Sequence, residues 1–397
     1  MSVKLAAIGI GNRTGKYLHY FSLHPDVVEL VAVVEPDPVR LEACRKQFSL
    51  PEERCFASSD EFFAKFQEPC DGVIIGSPDR CHHKQAILSI ARDWDILLEK
   101  PVAQSYEQCI DIVEAARVRN VKVGVCYVLR FMSLYRKAKE LLDEGIIGRV
   151  TGVSHKEYVG IDRMLHTYVR GYWNKAKTST PSFVSKCCHD VDMLLWVTGA
   201  KIKQVQSAGS LEWYRPENAP EGSTDRCINC PVELSCSYSA VDMYLRRGVW
   251  TQNFPIPEGK TLKQVLEEQM RTGRFGRCAF RCDNDVADRQ LVTLTATDGI
   301  LITIEMNALT RREGRKTVFT GTEGEMVVTG QAIEVRDRSG SLIRRVDFSR
   351  EATMPYHANA DLLLVEDFIQ AVATPDRYPA VTLEDSLESH RICFLAG

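Results

Sequence analysis

Short apolar runs alternate with helix-like segments over the first third of the chain. The apolar runs cover residues 3–10, 27–34, 71–75, 96–98 and 121–127. Segments between them, such as 16–23 and 39–47, carry apolar residues at helical spacing. Strands that alternate with helices are typical of a parallel, doubly wound sheet, whose buried strands read as nearly continuous apolar runs. The pattern therefore predicts an α/β domain at residues 1–128.

Beyond this region the pattern changes to an alternation of apolar and polar residues. Alternating runs cover residues 290–297, 300–308, 316–321, 325–329, 332–336 and 342–348. Turn sequences such as Asp298-Gly299 and Ser339-Gly340 separate them, which is typical of β-hairpins. We predict a second, α+β domain at 129–397, built on a large and mostly antiparallel sheet. One face of that sheet is free to pair with another subunit, which favours a homodimer or homotetramer. Residues 212–283 lose the periodicity and are predicted to form an excursion from the sheet.

The charge balance and the length of the apolar runs restrict the kind of partner. Fifty Lys and Arg stand against 53 Asp and Glu, a formal net charge of −3, whereas nucleic-acid and membrane-surface binding favour a strong basic excess. No run of about 18 apolar residues is present, and no signal-peptide pattern precedes the first apolar run. We therefore expect a cytoplasmic protein that binds a small molecule, with no nucleic-acid partner and no membrane partner.

A glycine-rich turn follows the first apolar run. Gly9 permits a tight turn, and Gly11 allows the backbone to approach a pyrophosphate at the start of the following helix. Asn12 and Arg13 continue the turn and belong to the predicted cofactor site. A third glycine, Gly15, comes one residue later than in the usual G-x-G-x-x-G pattern, which leaves its part in helix packing open.

Two further strand ends extend the predicted cofactor site. Glu35 ends the second apolar run, and its carboxylate suits ribose hydroxyls and repels a 2′-phosphate, which favours NAD over NADP. Arg40 nearby keeps NADP open as an alternative. Ser77 and Pro78 end another predicted strand, close to where an adenine ribose and a diphosphate run in such a sheet.

A charged triplet, Glu99-Lys100-Pro101, stands at the end of the apolar run 96–98. Ligands of an open parallel sheet collect at the carboxyl ends of its strands, so we predict that Lys100 faces cofactor or substrate. A surface turn with a Glu/Lys pair is the alternative. Arg130 also follows a predicted strand, and we predict that it contacts substrate or nicotinamide.

Fourteen cysteines in a chain of this length do not resemble a secreted disulfide framework. Cys227, Cys230 and Cys236 form a C-x2-C-x5-C pattern, and Cys278 or Cys282 completes a set of four. Four thiolates suit a structural zinc ion that pins a segment with little packing of its own. Buried thiols, a disulfide formed on purification and an iron–sulfur cluster are the alternatives.

Several short motifs resemble, in order and spacing, the glucose-fructose oxidoreductase/inositol dehydrogenase (Gfo/Idh/MocA) family. They are Gly9-Ile10-Gly11, Val34-Glu35-Pro36-Asp37, Ser77-Pro78-Asp79 with His82, Glu99-Lys100-Pro101, Arg130-Phe131, Gly148-Arg149-Val150, Lys186-Cys187-Cys188-His189-Asp190-Val191-Asp192 and Gly321-Thr322-Glu323-Gly324-Glu325. The resemblance covers nearly the whole chain. It implies an N-terminal Rossmann domain that binds NAD(P) and a C-terminal domain that binds the substrate.

The resemblance also implies a reaction, namely hydride transfer between NAD(P) and a hydroxyl-bearing carbon of a sugar or cyclic polyol, with Lys100 and His189 flanking that carbon. A carbinol that loses a hydride also loses a proton, so a base must lie within hydrogen-bond reach of the hydroxyl. A histidine such as His189 can act as this base near neutral pH, and Lys100 can orient the hydroxyl as a cation or share its proton. By the same resemblance, Glu99 positions the lysine and His82 lies near the cofactor.

The substrate-binding residues are predicted with open alternatives. Many family members have an aspartate four residues before the histidine, where this chain has Ser185 followed by Lys186. Lys186 either takes over substrate anchoring or is a surface lysine. Asp192 either orients a ligand hydroxyl or caps a helix predicted at 191–198. Arg170 and Trp173 either bind hydroxyls and provide an aromatic sugar platform, or pack under a loop.

Two other functions stay open beside the dehydrogenase. One is a glycoside hydrolase that retains NAD and uses transient oxidation to eliminate a substituent. The other is a non-catalytic homologue that senses a nucleotide or a sugar. His357 with Asp361 is a further candidate for the site, with a histidine at a helix start as the alternative reading.

Overall fold

The computed structural model describes residues 2–354, 357 and 359–397, which form two compact units. Unit 1 comprises Met1–Glu140, Val191–Val197 and Phe348–Phe394, and unit 2 comprises Leu141–Asp190, Thr198–Asp347 and Leu395–Gly397. The domain bounds 1–128 and 129–397 remain a prediction, and the compact units divide the chain differently. The difference arises because a helix at 360–373 packs against the first helix of the chain, within unit 1.

The sheet of unit 1 has six strands in the described residues. They are β1 (Val3–Ile8), β2 (Val28–Val34), β3 (Cys55–Phe56), β4 (Gly72–Ile75), β5 (Asp95–Leu98) and β6 (Val123–Val125), in the order β3-β2-β1-β4-β5-β6. Every neighbouring pair is parallel. Both faces of β1 and β4 are almost wholly buried, which explains why these strands read as continuous apolar runs. The predicted doubly wound parallel sheet is confirmed.

The first two α-helices of the chain cover the predicted helical segments 16–23 and 39–47 with shifted ends, and the described residues contain further α-helices. In chain order the helices are α1 (Asn12–Leu23), α2 (Pro38–Gln47), α3 (Ser59–Lys65), α4 (Asp79–Ile90), α5 (Tyr106–Arg119), α6 (Ser133–Asp143), α7 (Ile161–Arg163), α8 (Ser182–Thr198), α9 (Leu262–Arg271), α10 (Ala360–Ala373) and α11 (Leu383–Ala396). Hydroxyl caps fix several starts, because Ser58 and Ser105 each accept a hydrogen bond from an amide of the first turn. None of the described helices is both long and apolar enough to cross a bilayer.

The sheet of unit 2 has eight strands in the described residues and is mostly antiparallel. They are β7 (Val150–Tyr158), β8 (Ile202–Ser210), β9 (Arg289–Ala296), β10 (Leu301–Asn307), β11 (Gly314–Gly321), β12 (Gly324–Thr329), β13 (Ala332–Asp337) and β14 (Leu342–Asp347), in the order β14-β13-β12-β11-β7-β10-β9-β8. Only the β7–β10 pair among them is parallel. Buried and exposed residues alternate along β9 and β10, so one face of the sheet forms a core. The predicted second sheet is confirmed.

The segment between β8 and β9 leaves the sheet, as its weak periodicity indicates. It runs through short 3₁₀ turns and contains the helix α9. Four aromatic rings pack against one another in it, those of Trp213, Tyr214, Tyr238 and Phe280. This excursion therefore has a small core of its own.

Helix α8 begins earlier than the sequence pattern indicates. Its first residue is Ser182 rather than residue 191, because the buried residues Phe183, Val184 and Cys187 already lie at helical spacing. Asp192 consequently lies in the interior of the helix. The alternative in which Asp192 caps a helix is therefore wrong.

Candidate active site

Gly9 lies at the point where the order of the unit 1 strands changes direction. Strand β1 stands between β2 and β4, and such a switch point is where ligands bind in open α/β sheets. Gly9 has a φ of +84°, and a Cβ there would stand 2.7 Å from the backbone N and Cα of Ser77. Both the backbone conformation and the close approach of two strand ends require glycine here.

Helix α1 begins directly after this turn, with Asn12 as its first residue and Gly11 as its N-cap. Gly11, as a glycine, has no side chain with which to cap the first amides of the helix. A Cβ on Gly11 would meet nothing within 4 Å, so the backbone borders open space there. Uncapped amides beside open space, at the positive end of the helix dipole, suit a pyrophosphate.

Thr14, rather than a third glycine, packs this helix against the sheet. A Cβ on Gly15 would meet nothing within 4 Å, whereas Thr14 is fully buried. A Cβ on Gly76, at the end of β4, would collide with the Oγ1 of Thr14. Helix α1 and the end of β4 therefore approach closely because the glycine is Gly76 on the strand and not a residue of the helix. This explains the departure from the G-x-G-x-x-G pattern.

Glu35 joins the glycine turn to the end of β2. The side chain is buried, its Oε2 accepts a hydrogen bond from the Ile10 amide at 2.6 Å, and its Oε1 accepts from the Asp37 amide at 3.0 Å. Each carboxylate oxygen keeps a second lone pair, so the group is still able to accept a hydroxyl. The assignment of Glu35 to a ribose remains a prediction.

Arg13, predicted to contact the cofactor, is held by acidic groups of its own unit. It donates to Oδ1 of Asp361 at 2.5 Å and lies 3.4 Å from Oε1 of Glu99, and it donates to the hydroxyl of Tyr17 at 2.9 Å. Burial opposes the ionisation of Asp361, but His357 and Arg13 lower its pKa to about 2. These contacts tie the start of α1 to α10 and to the end of β5, and they give His357 and Asp361 an internal partner.

The turn that carries Lys100 is fixed to the interior on both sides. Its Lys100–Pro101 peptide is cis. Before it, Oε2 of Glu99 accepts from the Lys100 amide at 3.0 Å, and after it the Val102 amide donates to Nε2 of His390 at 3.0 Å. Burial, with a smaller contribution from Lys100, lowers the pKa of His390 to about 4. The His390 ring is therefore neutral near pH 7 and accepts this bond.

His82 supports the same turn from the other side. Its Nδ1 lies 2.8 Å from the carbonyl oxygen of Pro101, and its Nε2 lies 2.8 Å from that of Ser77. The hydroxyl of Ser77 donates to Gln85 at 2.6 Å. The predicted cofactor roles of Ser77, Pro78 and His82 stay predictions, while the structure shows that His82 joins two strand ends.

Arg130 and Asp192, both predicted to bind substrate, are paired with each other in unit 1. The guanidinium donates to both carboxylate oxygens, at 2.6 and 2.8 Å. Burial raises the pKa of Asp192 to about 6, against the opposing effect of Arg130. Because Asp192 is almost fully buried, its first partner is this arginine, and its contact with a substrate remains a prediction.

Lys186 points into a buried cluster of charged residues in unit 2. Its Nζ lies 3.1 Å from Oε1 of Glu157, and Nε of Arg315 lies 2.9 Å from the other oxygen of Glu157. Arg315 also donates to Oδ1 of Asp190 at 2.5 Å, to which Nε2 of His155 lies at 3.1 Å. Burial lowers the pKa of Lys186. Burial alone would raise the pKa of Asp190, but Arg315 and His155 hold it well below its usual range.

The sequence analysis missed His155, Glu157 and Arg315. The signal that identifies them is their register, because β11 runs antiparallel to β7 and places Arg315 opposite Glu157. His155 and Glu157 share one face of β7, since residues two apart in a strand point the same way. Polar residues at that spacing on the buried face of a strand mark a charged cluster, but the partner residue Arg315 lies more than 150 positions from Glu157 in the sequence.

Ser185 stands where the family has an aspartate, and its hydroxyl is bound internally. It lies 3.2 Å from the hydroxyl of Tyr168 and 3.2 Å from the carbonyl of Ser182. His189 lies four residues further along α8, in the part of the helix that belongs to unit 2, and is half-buried. Lys100 belongs to unit 1, and its pairing with His189 in catalysis remains a prediction.

Arg170 is fully buried, and this corrects its prediction as a hydroxyl-binding residue. Its guanidinium donates to the carbonyl oxygens of Arg277 and Tyr238, at 2.8 and 2.7 Å. A side chain that is 1% exposed and bound to backbone carbonyls does not offer its donors to a substrate. Trp173 is half-buried in the same loop, and its role as a sugar platform stays a prediction.

Two family models match the chain. One describes an oxidoreductase family with an NAD-binding Rossmann fold and matches residues 3–127. The other describes the C-terminal alpha/beta domain of the same oxidoreductase family and matches residues 139–396. The NAD-binding description agrees with the glycine turn, the open space beside Gly11 and the uncapped start of α1.

Named relatives resemble the chain over part of their length. The putative oxidoreductase YteT of Bacillus subtilis is 25% identical over 77% of this chain and 71% of its own. The 2,7-anhydro-N-acetylneuraminate hydratase of Mediterraneibacter gnavus is 24% identical over 65% of each chain. Inositol 2-dehydrogenase 2 of Saccharopolyspora erythraea is 26% identical over 51% of this chain and 56% of its own.

A solved structure shares the fold over the whole chain. An oxidoreductase from Agrobacterium radiobacter, in complex with NAD+, L-tartaric acid and magnesium, has a TM-score of 0.70 and 14% identity. The likeness covers 100% of this chain and 95% of the solved one. At this identity the likeness establishes the two-domain fold and nothing further.

Proposed function

Since the chain belongs to the Gfo/Idh/MocA oxidoreductase family, we propose that it transfers a hydride between NAD and a hydroxyl-bearing carbon of a sugar or cyclic polyol. The observation that carries this proposal is the turn at Lys100. Its backbone is held by Glu99 on one side and by His390 on the other, which leaves a half-buried amine at the carboxyl end of β5. Relatives named for inositol and for a sialic acid derivative support the substrate class.

Lys100 is proposed to handle the proton of the reacting hydroxyl. NAD, when bound, takes up the hydride. The alcohol must lose a proton in the same conversion, and an amine within about 2.6–3.2 Å of the hydroxyl either orients it as a cation or accepts its proton. The neutral ring of His390 adds no second positive charge behind the turn. Glu99 accepts from Tyr17, Arg13 and the Lys100 amide, so it positions the turn and takes no part in the chemistry.

His189 is proposed as the second proton-handling group, on the basis of the motif that it shares with the family. It lies one residue before Asp190, which is fixed by Arg315 and His155 in the buried cluster. An anchored neighbour on the same helix limits the movement of His189. Lys186 is bound to Glu157, so its proposed contact with substrate depends on competition with that carboxylate.

The proposed cofactor is NAD rather than NADP. Glu35 is buried at the end of β2, with Oε2 bound to the Ile10 amide of the glycine turn and Oε1 bound to the Asp37 amide, and a 2′-phosphate placed there would face its negative charge. Replacing Glu35 with Ala should weaken the discrimination against NADP. An unchanged ratio of the two cofactor affinities would show that Glu35 does not select the cofactor.

A reaction without net oxidation is the second candidate, because one relative carries the name of a hydratase. Such an enzyme would convert a sugar derivative without accumulating NADH, whereas a dehydrogenase would release NADH in proportion to product. Retained nucleotide binding with no turnover of any polyol or sugar derivative would instead indicate a non-catalytic homologue. A screen of sugars, inositols and anhydrosugars that follows both NADH absorbance and product separates the three.

We also propose a homodimer or homotetramer that forms through the eight-stranded sheet, in the cytoplasm. Leu291 on β9 and Leu301 on β10 are about half exposed, at 49% and 54%, on the face of the sheet away from its core. Exposed apolar side chains on a broad sheet favour pairing with another surface. Sedimentation analysis of the wild-type protein and of Leu291→Lys tests this, and a monomer in both would refute it.

The direct test of the proposed function is Lys100→Met. We expect turnover to fall by about 10² to 10⁴-fold, because the proton-handling group is lost, with NAD affinity changed little. Lys201→Met, at an exposed lysine of unit 2, is the matched control. Turnover and NAD binding by fluorescence are measured for both variants. Full activity of Lys100→Met would exclude the proposed role of the lysine.

A further inference from the structure

Four cysteines line one small cavity in the excursion of unit 2. They are Cys227, Cys230, Cys236 and Cys278, and the rest of the wall comprises Glu233 together with hydroxyl, aromatic and aliphatic side chains. Cys227 and Cys278 are buried, and the other two are half-buried. The described cysteines are all free thiols. Two separate stretches of the sequence therefore place four cysteines around one cavity.

Local turns and one bridge hold these cysteines in position. Cys230 ends a 3₁₀ turn, and its amide donates to the carbonyl of Cys227 at 3.2 Å. Cys236 ends a second 3₁₀ turn. An antiparallel bridge between Arg226 and Arg277 then joins the first turn to the segment that carries Cys278. Such turns between paired cysteines are what a compact tetrathiolate site requires.

Arg170 lies beside this cavity as a fully buried cation, and no described residue is its acidic partner. Its Nη2 lies 3.9 Å from Sγ of Cys227, and its other bonds go to the carbonyls of Arg277 and Tyr238. Its Nη1 is buried and makes no hydrogen bond within the described part of the chain. Ion pairs of the described residues likewise include none with Arg170. A guanidinium in this position is costly unless negative charge lies near it.

We propose that Cys227, Cys230, Cys236 and Cys278 bind one Zn²⁺ ion, and that Arg170 is the buried counter-ion of this site. Four thiolates around a divalent cation leave a net charge of −2, which supplies the anionic partner that Arg170 lacks. Binding converts each thiol to a thiolate, and the released protons pass to solvent. The ion is structural, because four protein ligands leave no position open for a substrate.

The fourth ligand is Cys278 rather than Cys282. Cys278 lines the cavity, whereas Sγ of Cys282 lies 3.3 Å from the carbonyl oxygen of Cys278 and does not line it. Both residues are buried to a similar degree, at 7% and 9% exposure. Cys282 therefore provides a matched control for a thiol that is near the site without being a ligand.

Coordination requires the four sulfurs to draw closer together. Zinc bound to thiolates at about 2.3 Å places neighbouring sulfurs about 3.8 Å apart. Among the described residues, the side chains of His155, Glu157 and Asp190 already have possible metal-ligand atoms within 4.8 Å of one another. That cluster already holds the cations Lys186 and Arg315, which neutralise its carboxylates, so it does not compete for the ion.

The first experiment measures metal in protein purified without a metal-affinity step. We expect roughly one zinc per chain in the wild-type protein and in Cys282→Ser, and less than about a tenth of that in Cys278→Ser. Less than about half a zinc per wild-type chain, or equal zinc in the two serine variants, would refute the site. Visible absorption with bound iron would assign an iron–sulfur cluster in its place.

The second experiment avoids variants that fail to fold. Wild-type protein is stripped with a chelator at neutral pH and reloaded with Co²⁺, and thiolate-to-cobalt absorption is recorded together with the circular dichroism of the apo form. We expect strong absorption that Zn²⁺ displaces, and about tenfold faster loss of metal to chelator in Arg170→Met than in the wild-type protein. A lack of that absorption in folded protein excludes tetrathiolate binding, and equal rates of loss exclude the role of Arg170.

Discussion

Two arginines, one in each unit, solve the problem of buried charge in different ways. Arg13 in unit 1 faces the carboxylates of Asp361 and Glu99, so its charge is balanced by residues of the fold. Arg170 in unit 2 faces carbonyl oxygens and the sulfur of Cys227, and it has no carboxylate partner among the described residues. Both were predicted from the sequence to bind a ligand. In the structure Arg13 is half-buried and Arg170 is fully buried.

The difference between the two arginines shows which region balances its charge with its own side chains and which region needs a bound ion. The strand ends around Arg13 form a closed network, and the open space is left beside the backbone of Gly11, where a dinucleotide fits. In the excursion, the positive charge of Arg170 is balanced only when the four thiols become zinc-bound thiolates. Folding alone therefore balances the charge of Arg13, whereas the charge of Arg170 is balanced by the proposed zinc site.

The largest effect is expected from breaking the pair that balances Arg13. Asp361→Ala leaves the half-buried guanidinium of Arg13 with Glu99 as its carboxylate partner, and we expect the free energy of unfolding to fall by about 2–3 kcal/mol. Urea denaturation measures this loss. Glu42→Ala is the control, because hydrogen bonds with Arg45 also lower the pKa of Glu42 to about 2, although both side chains are exposed. A similar loss in both variants would show that the Arg13 network is no more than a surface pair.

The next effect is a loss of stability at low pH, and it compares one histidine in each unit. Burial lowers the pKa of His390 in unit 1 and of His166 in unit 2 to about 4. The unfolded chain takes up these protons near pH 6.5, so stability is full above that value and is lost as pH falls toward 4. We expect a loss of up to about 3 kcal/mol for His390 and less for the half-buried His166.

Unfolding free energies measured between pH 7 and pH 4 check this expectation. His390→Gln should flatten the pH dependence, because a glutamine amide cannot take up the proton. His166→Gln should flatten it by a smaller amount. An unchanged slope in His390→Gln would mean that the ring is already charged in the folded protein.

A smaller effect is expected from removing Arg170 itself. Arg170→Met should lower the unfolding free energy of the zinc-loaded protein by about 2 kcal/mol more than that of the stripped protein, since the charged partner exists only in the former. Arg13→Met is the control, and its cost should be the same in both forms. Equal costs of Arg170→Met in the two forms would remove the contrast between the two arginines.

The mildest change tests the packing of the glycine turn. Gly15→Ala should raise the unfolding free energy by about 0.5–1 kcal/mol, because Gly15 lies in helix α1 and a Cβ there meets open space. Chemical denaturation and NAD affinity are measured together. Gly9→Ala should destabilise the protein instead, since a Cβ there would approach the backbone of Ser77. A loss of stability in Gly15→Ala would mean that the third glycine is needed after all.

The fold was predictable from the sequence because each sheet imposes its own period on the chain. Continuous apolar runs gave the parallel sheet, and alternating runs gave the antiparallel one. The start of α8 was missed because its buried surface includes the polar residues Ser185 and Asp190 beside Phe183, Val184 and Cys187, and these interrupt the apolar pattern.

The candidate site was predictable where function is carried by local sequence. The glycine turn, Glu35 and the Lys100 turn each occupy a few consecutive residues at a strand end. Arg13 with Asp361, and Glu157 with Arg315, are joined only by folding, across 348 residues in the first case. The partners of Arg170 are backbone carbonyls, which have no signature in a sequence.

The bond between Val102 and His390 has a consequence for the synthesis of the protein. Its two residues are 288 positions apart, so the ribosome makes the Lys100 turn on the order of 15–60 s before the histidine that anchors it. In the nascent chain, the Lys100 turn therefore lacks this hydrogen bond until helix α11 has been synthesised. We expect chains arrested before residue 390 to be cleaved by protease near residue 100, and chains released after it to be protected there.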